Sequence, residues 1–345
     1  MKYEQAQARA LKKSLTEFQQ PSGVRSVSEI LLSAAPLAAL WTGGWFAVAY
    51  GLWWVALLLS VPSAFFTVRL FMIQHDCGHQ AFFRSPALNN WIGRAVGVLT
   101  LTPYDCWKRE HAIHHASSGN LDRRGPGAIA TMTIGEYNAA SPLTRFGYRV
   151  YRNPIVLFFI GPAYVFLLQQ RLPVGLMKEG WRPWVSAMGT NVVIGLLVAA
   201  AIWFGGWQAL LLLHLPTIVI AASIGVWLFY VQHQFEETHW DRNEGWDGPH
   251  AALMGSSHYV LPQPLQWLTG NIGIHHIHHV ASRIPFYRLP KVLKRHPHLN
   301  EIGRITLIDS VRCVGLTLWD EANRRLVTFR EARMMAQGGG MAAAA

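Results

Sequence analysis

Nine of the chain's 16 histidines fall in three five-residue windows, HDCGH at 75–79, HAIHH at 111–115 and HHIHH at 275–279. His75 and His79 are spaced i, i+4. His111, His114 and His115 are spaced i, i+3, i+4, and His275, His278 and His279 repeat that spacing. On a helix such offsets gather side chains on one face within a turn. Imidazole is the commonest metal-ligating side chain, and eight rings exceed what a single tetrahedral site uses. They suit two metals with roughly four or five nitrogens each. A ninth candidate, His233, closes a long apolar run and is directed at the same zone. The zinc-protease pattern HExxH is absent. The Glu-x-x-His spacing of carboxylate di-iron bundles occurs once, from Glu236 to His239. A nitrogen-rich two-iron site is the better reading, with zinc left open by spacing alone.

The elements that must position these rings are read from charge. No Asp, Glu, Lys or Arg occurs from Ile30 to Val68 or from Pro183 to Phe235. A helix crosses a bilayer core in about 20 residues, so each stretch holds two crossings. Glycines lie near both midpoints: Gly43, Gly44 and Gly51, then Gly205 and Gly206. The expectation is an all-α membrane protein with four transmembrane helices in two hairpins, spanning about 30–48, 52–73, 184–204 and 207–231. A cytoplasmic helical cap carries the histidine windows. All 30 Lys and Arg lie outside the two hairpin turns, in residues 1–29, 69–182 and 236 onward. Cytoplasmic loops keep positive charge, so both termini and all three windows are expected in the cytoplasm, at the cell's inner (plasma) membrane. Topology and contact with anionic lipid account for the net charge of +11. No basic run forms a nucleic-acid reading element.

Asn153–Gln170 is also uncharged but carries Pro154 and Pro162. Two prolines break or kink a helix, and a fifth span would put the windows on opposite sides of the membrane. The segment is expected to be interfacial or re-entrant. Residues 1–29 read as an amphipathic surface segment without a secretory signal, 30–330 as the membrane domain and 331–345 as a disordered tail. Cys77, Cys106 and Cys313 are too dispersed for a disulfide framework or a cysteine metal site.

The three windows resemble the histidine boxes HxxxH, HxxHH and HxxHH of the membrane fatty acid desaturases. So does the text around them: GNLDRRGPGAIATMT, FYVQHQFEETHW and TGNIGIHHIHHVASRIPFYRL. The resemblance covers roughly residues 30–330 and is nearest the bacterial acyl-lipid Δ12 (omega-6) type. It implies two ferrous ions held by His75, His79, His111, His114, His115, His275, His278 and His279, with His276 at a variable box position. His233 matches a further ligand supplied outside the boxes. It also implies the activity: two hydrogens leave adjacent methylenes of a fatty acyl chain in membrane lipid, and O2 is consumed. A cis double bond and water result, with two electrons supplied from outside. The chain has no iron–sulfur cysteine set and no GxGxxG fingerprint. The implied donor is therefore a separate ferredoxin or a cytochrome b5-like protein. His239 and His258 stand where the family has tyrosine. Asp76, Glu236, Glu237 and Asn271 are candidate hydrogen-bond partners of the ligands.

The nearest alternative is a di-iron hydroxylase of alkanes, fatty acids or carotenoids, which shares the boxes. A metal transporter would hold its ligands at mid-membrane depth, where only His214 lies. Two-histidine haem ligation would leave most of the cluster unused.

Overall fold

The computed structural model describes residues 4–125 and 127–342. Helix α1 (Gln5–Ser14) precedes a long hairpin of α2 (Gly23–Ala49) and α3 (Trp53–Gly78). Then come α4 (Pro86–Leu99), α5 (Tyr104–Ser117), α6 (Ile134–Ala139), α7 (Pro142–Tyr151) and α8 (Gly161–Leu167). The second hairpin pairs α9 (Trp181–Gly205) with α10 (Leu215–His233), the latter entered through a π-helical turn, Leu210–His214. The last third forms α11 (Gly248–Met254), α12 (Gln263–Leu268) and α13 (His275–Val280). It continues with α14 (Leu289–Arg295), α15 (Leu307–Cys313) and α16 (Phe329–Ala342). Five strands of two or three residues tie the loops together. β1 (Met132–Thr133) lies parallel to β4 (Leu318–Asp320), which pairs antiparallel with β5 (Arg325–Val327). β2 (His258–Tyr259) lies parallel to β3 (Arg304–Ile305).

Four helices among the described residues are long and apolar enough to cross a membrane: Gly23–Ala49, Trp53–Gly78, Trp181–Gly205 and Leu210–His233. Each overruns its expected span at the histidine end, so the spans continue as pillars into the cap. At the other end, Gly51 (φ +75°) turns the first hairpin and Gly206 (φ +80°) stops α9. A β-carbon on Gly205 would collide with the Trp45 ring, so this glycine permits the two hairpins to meet turn to turn.

The charges bounding the first uncharged run meet inside the protein. Glu29 and Arg69 are each about 1 % exposed and form an ion pair across the hairpin. The Arg69 guanidinium also donates to the Trp267 carbonyl and lies 3.8 Å from the centre of that ring.

The proline-bearing segment follows α7 after a break and is bent 64° from it, giving a broken span or re-entrant arm. The bend falls at Arg152, which is buried and donates to Tyr230 Oη (3.0 Å) and the Leu316 carbonyl (2.5 Å). Most of the tail expected to be disordered is helix α16 as far as Ala342, its start fixed by Thr328 and Glu331, each of which accepts the other's backbone N–H. Residues 343–345 of that expectation lie outside the described residues. In α1, Ala8 and Leu11 are buried, and Arg9 pairs with Asp247 at the start of α11, so the N-terminal segment docks on the cap.

Candidate metal centre

Each box sits where a helix is held by something other than its own length. Just past the end of helix α3, Gln80 takes a positive φ of 57°, and Ala81 N–H reaches back to the Asp76 carbonyl at 2.9 Å. That stop places His75 in the final turn and His79 at the cap that follows it. Helix α5 is placed by Tyr104, whose hydroxyl donates to the Cys77 carbonyl at 2.9 Å. Its ring lies against Gly93 of α4, where a β-carbon would not fit. Helix α13, only six residues long, cannot stand alone. The turn before it uses Gly270 (φ +59°) and Asn271 (φ +55°), and His258 bridges to Ile274.

The three helices and the end of α10 bring nine imidazoles into two groups. His75, His79, His111, His115 and His278 each offer a ring nitrogen, all within 4.8 Å of one another, and so do His114, His233, His275 and His279. These are the nine histidines singled out from sequence. Neither group is one box. The i, i+4 pairs 75/79, 111/115 and 275/279 each stay together, while the i+3 members His114 and His278 cross over to the other group. The groups abut through His115 and His279, whose rings stack at 4.0 Å.

The hydrogen bonding of these rings fits a bound cation. His233 Nδ1 faces the Gly255 carbonyl at 3.2 Å. A carbonyl only accepts, so the proton sits on Nδ1 and Nε2 carries a lone pair. That lone pair has His114 Nε2 and His275 Nε2 both at 3.1 Å. In the other group, Nε2 atoms meet at 3.0 Å (His79–His111), 3.2 Å (His111–His115) and 3.1 Å (His115–His278). His279 is buried with neither ring nitrogen bonded to protein. Buried polar atoms are rarely left this way, and a divalent metal satisfies converging lone pairs. The donor set, all neutral nitrogen, fits iron, zinc or copper. His79, His111, His114, His115, His275, His278 and His279 are held well below the usual imidazole pKa, first by burial and then by one another. They are therefore in the ligating, uncharged form at neutral pH.

Of the expected hydrogen-bond partners, Asp76 does contact a box histidine. Its carboxylate accepts from His75 Nδ1 at 3.2 Å and from Phe286 N–H at 2.6 Å, joining the first box to the loop after the third. The other expected partners lie elsewhere. Glu236 and Glu237 are exposed. Asn271 donates to the Phe286 carbonyl at 3.2 Å and makes no side-chain hydrogen bond to a box histidine among the described residues. His239 is hydrogen-bonded to Asp241 at 2.8 Å and packs edge-on against His250. His258 Nδ1 donates to the Asn300 carbonyl at 2.8 Å. His276, at the variable position, donates from Nε2 to the Leu299 carbonyl at 3.0 Å. His214 accepts from Trp45 Nε1 at 2.8 Å, tying α2 to the second hairpin.

Two aromatic residues belong to the site although sequence reasoning passed them over. Trp107 stacks on His111 at 4.6 Å, and Phe229 lies 5.2 Å from His233 and 5.0 Å from His114. Each stands four residues before its histidine, so helical spacing was the available signal. A cavity of about 50 Å³ adjoins the four-nitrogen group, lined by His114, His233, Phe229, Asn120 and Trp240 among others. That volume admits small molecules such as water and no acyl chain.

Two hairpins of helices long and apolar enough to cross a membrane carry at one end two all-histidine groups able to hold metal ions. The chain belongs to the fatty acid desaturase family: the family model described as "Fatty acid desaturase" matches residues 52–306. It is 43% identical over 322 residues to a protein named "Fatty acid desaturase" from Bacillus subtilis, covering 93% of this chain and 90% of that one. It is 28% identical to a Synechocystis "sn-1 acyl-lipid omega-3 desaturase (ferredoxin)", covering 83% of this chain and 79% of that one. A Picosynechococcus "sn-1 oleoyl-lipid 12-desaturase" is 24% identical, over 78% of this chain and 75% of that one. The protein is thus an oxidoreductase of lipid metabolism.

Proposed function

We propose that the protein inserts a cis double bond into the acyl chain of a membrane lipid at two irons. His75, His79, His111, His115 and His278 would hold one iron and His114, His233, His275 and His279 the other. The observation that carries this is the convergence of five and four ring nitrogens, each group within 4.8 Å. When bound, iron supplies the reduction of O2 that makes an unactivated C–H bond breakable. The balance is one O2, two protons and two electrons in, with a double bond and two waters out. The chain's own part is to keep the cap imidazoles uncharged, to orient His75 through Asp76 and His233 through the Gly255 carbonyl, and to limit bulk water by burial. The electrons would come from a ferredoxin, the donor named for the Synechocystis relative, or from a cytochrome b5-like protein. The histidine end and both termini would face the cytoplasm, on the side that keeps the basic residues.

Expression in a host with simple fatty acids, with double bonds located by gas chromatography and mass spectrometry, tests the activity. A hydroxylated product would replace the desaturase reading by the hydroxylase one. Anaerobically purified protein should hold close to two irons, and active protein with zinc in their place would sink the assignment. Reporters fused near Gly44 and Gly206 should appear on the face opposite the termini.

A further inference from the structure

A second concave site lies away from the histidines. Helices α7 and α16 form a groove of about 430 Å³, closed at its base by Tyr137, Asn138 and Leu318. From α7 it is lined by Pro142, Arg145, Phe146 and Arg149, and from α16 by Phe329, Ala332, Arg333 and Ala336. Both sets repeat at helical spacing, so each helix turns a whole face to the space.

Its electrostatics are one-sided. Three arginines line it and, among the described residues, no carboxylate does. Arg149 donates from Nε to Tyr137 Oη at 2.6 Å and lies 5.1 Å from the centre of the Phe329 ring. Its two terminal amino groups make no hydrogen bond within the described residues, and Arg145 and Arg333 make no side-chain hydrogen bond there either. Several arginines elsewhere in the cap do have carboxylate partners: Arg124 with Glu136, Arg242 with Asp122 and Glu321, Arg324 with Asp241. Three guanidiniums without a carboxylate around one aromatic-floored hollow make a site of positive potential that favours an anion.

The neighbouring face of α7 says where that anion comes from. Leu143, Phe146 and Val150, spaced i, i+3 and i+7, are 79%, 65% and 43% exposed. Helix α7 leads directly into the bent apolar arm, Val156–Arg171. An amphipathic helix with an exposed apolar row and arginines beside it lies in the membrane interface, with the guanidiniums at headgroup depth. Phe146 belongs both to the exposed row and to the groove lining.

We propose that this groove binds the phosphate of an anionic membrane phospholipid, with Arg145, Arg149 and Arg333 as its cationic partners and the acyl chains running past Phe146 into the bilayer. Planar guanidinium forks match phosphate oxygens two at a time. The volume suits a small headgroup rather than the broad face of a folded protein. The site is independent of which metal the histidines hold.

Native mass spectrometry of the full-length, detergent-purified protein, titrated with phosphatidylglycerol, tests this. Wild type should retain phosphatidylglycerol in preference to phosphatidylcholine. R145Q/R149Q/R333Q should bind it about tenfold more weakly or worse, with metal content unchanged as the check on folding. R145Q/R333Q keeps the Arg149–Tyr137 bond and should still show a several-fold loss. R330Q, which alters an exposed arginine outside the groove, should behave as wild type. Equal retention of the two lipids, or undiminished phosphatidylglycerol binding in the double variant, overturns the proposal. So does equal displacement by inorganic phosphate, which would mark a site for free phosphate. If the triple variant keeps its lipid but loses turnover only with a protein electron donor, the groove docks an acidic protein instead.

Discussion

The two histidine groups are built from the same boxes yet differ in ligand number and in cover. The first has five ring nitrogens, with His79, His111 and His115 only half-buried; the second has four, all buried. The second also borders the small cavity, whereas none of the cavity's lining residues belongs to the first. A metal with five fixed donors has little room for another, while one with four beside a cavity keeps a position for a small ligand. The difference teaches that ligand count and open space trade against each other within one centre. On the two-iron reading, the crowded group holds its metal more firmly and the four-nitrogen group is the more easily emptied.

Removing a ligand from the smaller group should have the largest effect. His233→Ala is expected to abolish desaturation, by more than about 100-fold, and to reduce iron from two to about one per chain, read by product analysis and elemental analysis. His114→Ala should match it; wild-type turnover in either variant would take that residue out of the ligand set. His79→Ala and His278→Ala should also lose desaturation but keep more metal, since four nitrogens remain. Equal metal loss in both groups would erase the distinction. Asp76→Asn frees the His75 ring without removing it, so a roughly 10–100-fold fall in affinity at the five-nitrogen group alone is expected. A titration resolving two iron affinities, only one of them shifted, is the check.

Metal-free protein should lose thermal stability as pH falls from about 7 to about 5. Its buried imidazoles stay uncharged when folded, while in the unfolded chain they take up protons below about 6.5. The unfolded state then binds more protons, so stability is full above that value and declines below it. A melting temperature flat across that range would contradict the burial of these rings. The smallest effects belong to histidines outside both groups. His296→Ala and His298→Ala should keep most activity. His214→Ala should keep activity while losing about 1 kcal/mol of stability with its bond from Trp45.

Much of this was legible in the chain. The uncharged runs announce the hairpins because the bilayer core tolerates no unpaired charge, and the box offsets announce the ligands because a helix repeats every 3.6 residues. Even the pairing of i with i+4 in one group follows from that repeat. Three-dimensional proximity was not legible. Glu236 and Glu237 stand close in sequence to His233 but beyond the end of its helix, on the outside. Asp76 binds Phe286, 210 residues away, and nothing local to either residue announces it. Arg152 reads as a flanking charge yet is buried at the bend, because its partners Tyr230 and Leu316 come from distant segments.

The Glu29–Arg69 pair has a consequence for how the protein is made. Chains are synthesised from the N-terminus, so the first hairpin exists before the rest. At that stage Glu29 can neutralise Arg69, but the carbonyl and ring of Trp267 that complete its surroundings are still to be made. The guanidinium lies less than two helical turns before His75, so the pillar bearing the first box stays imperfectly seated until the last third of the chain folds over it. Completion of this seating therefore waits until Trp267 has been made, and a chain cut short before it would leave Arg69 without its carbonyl and ring partners.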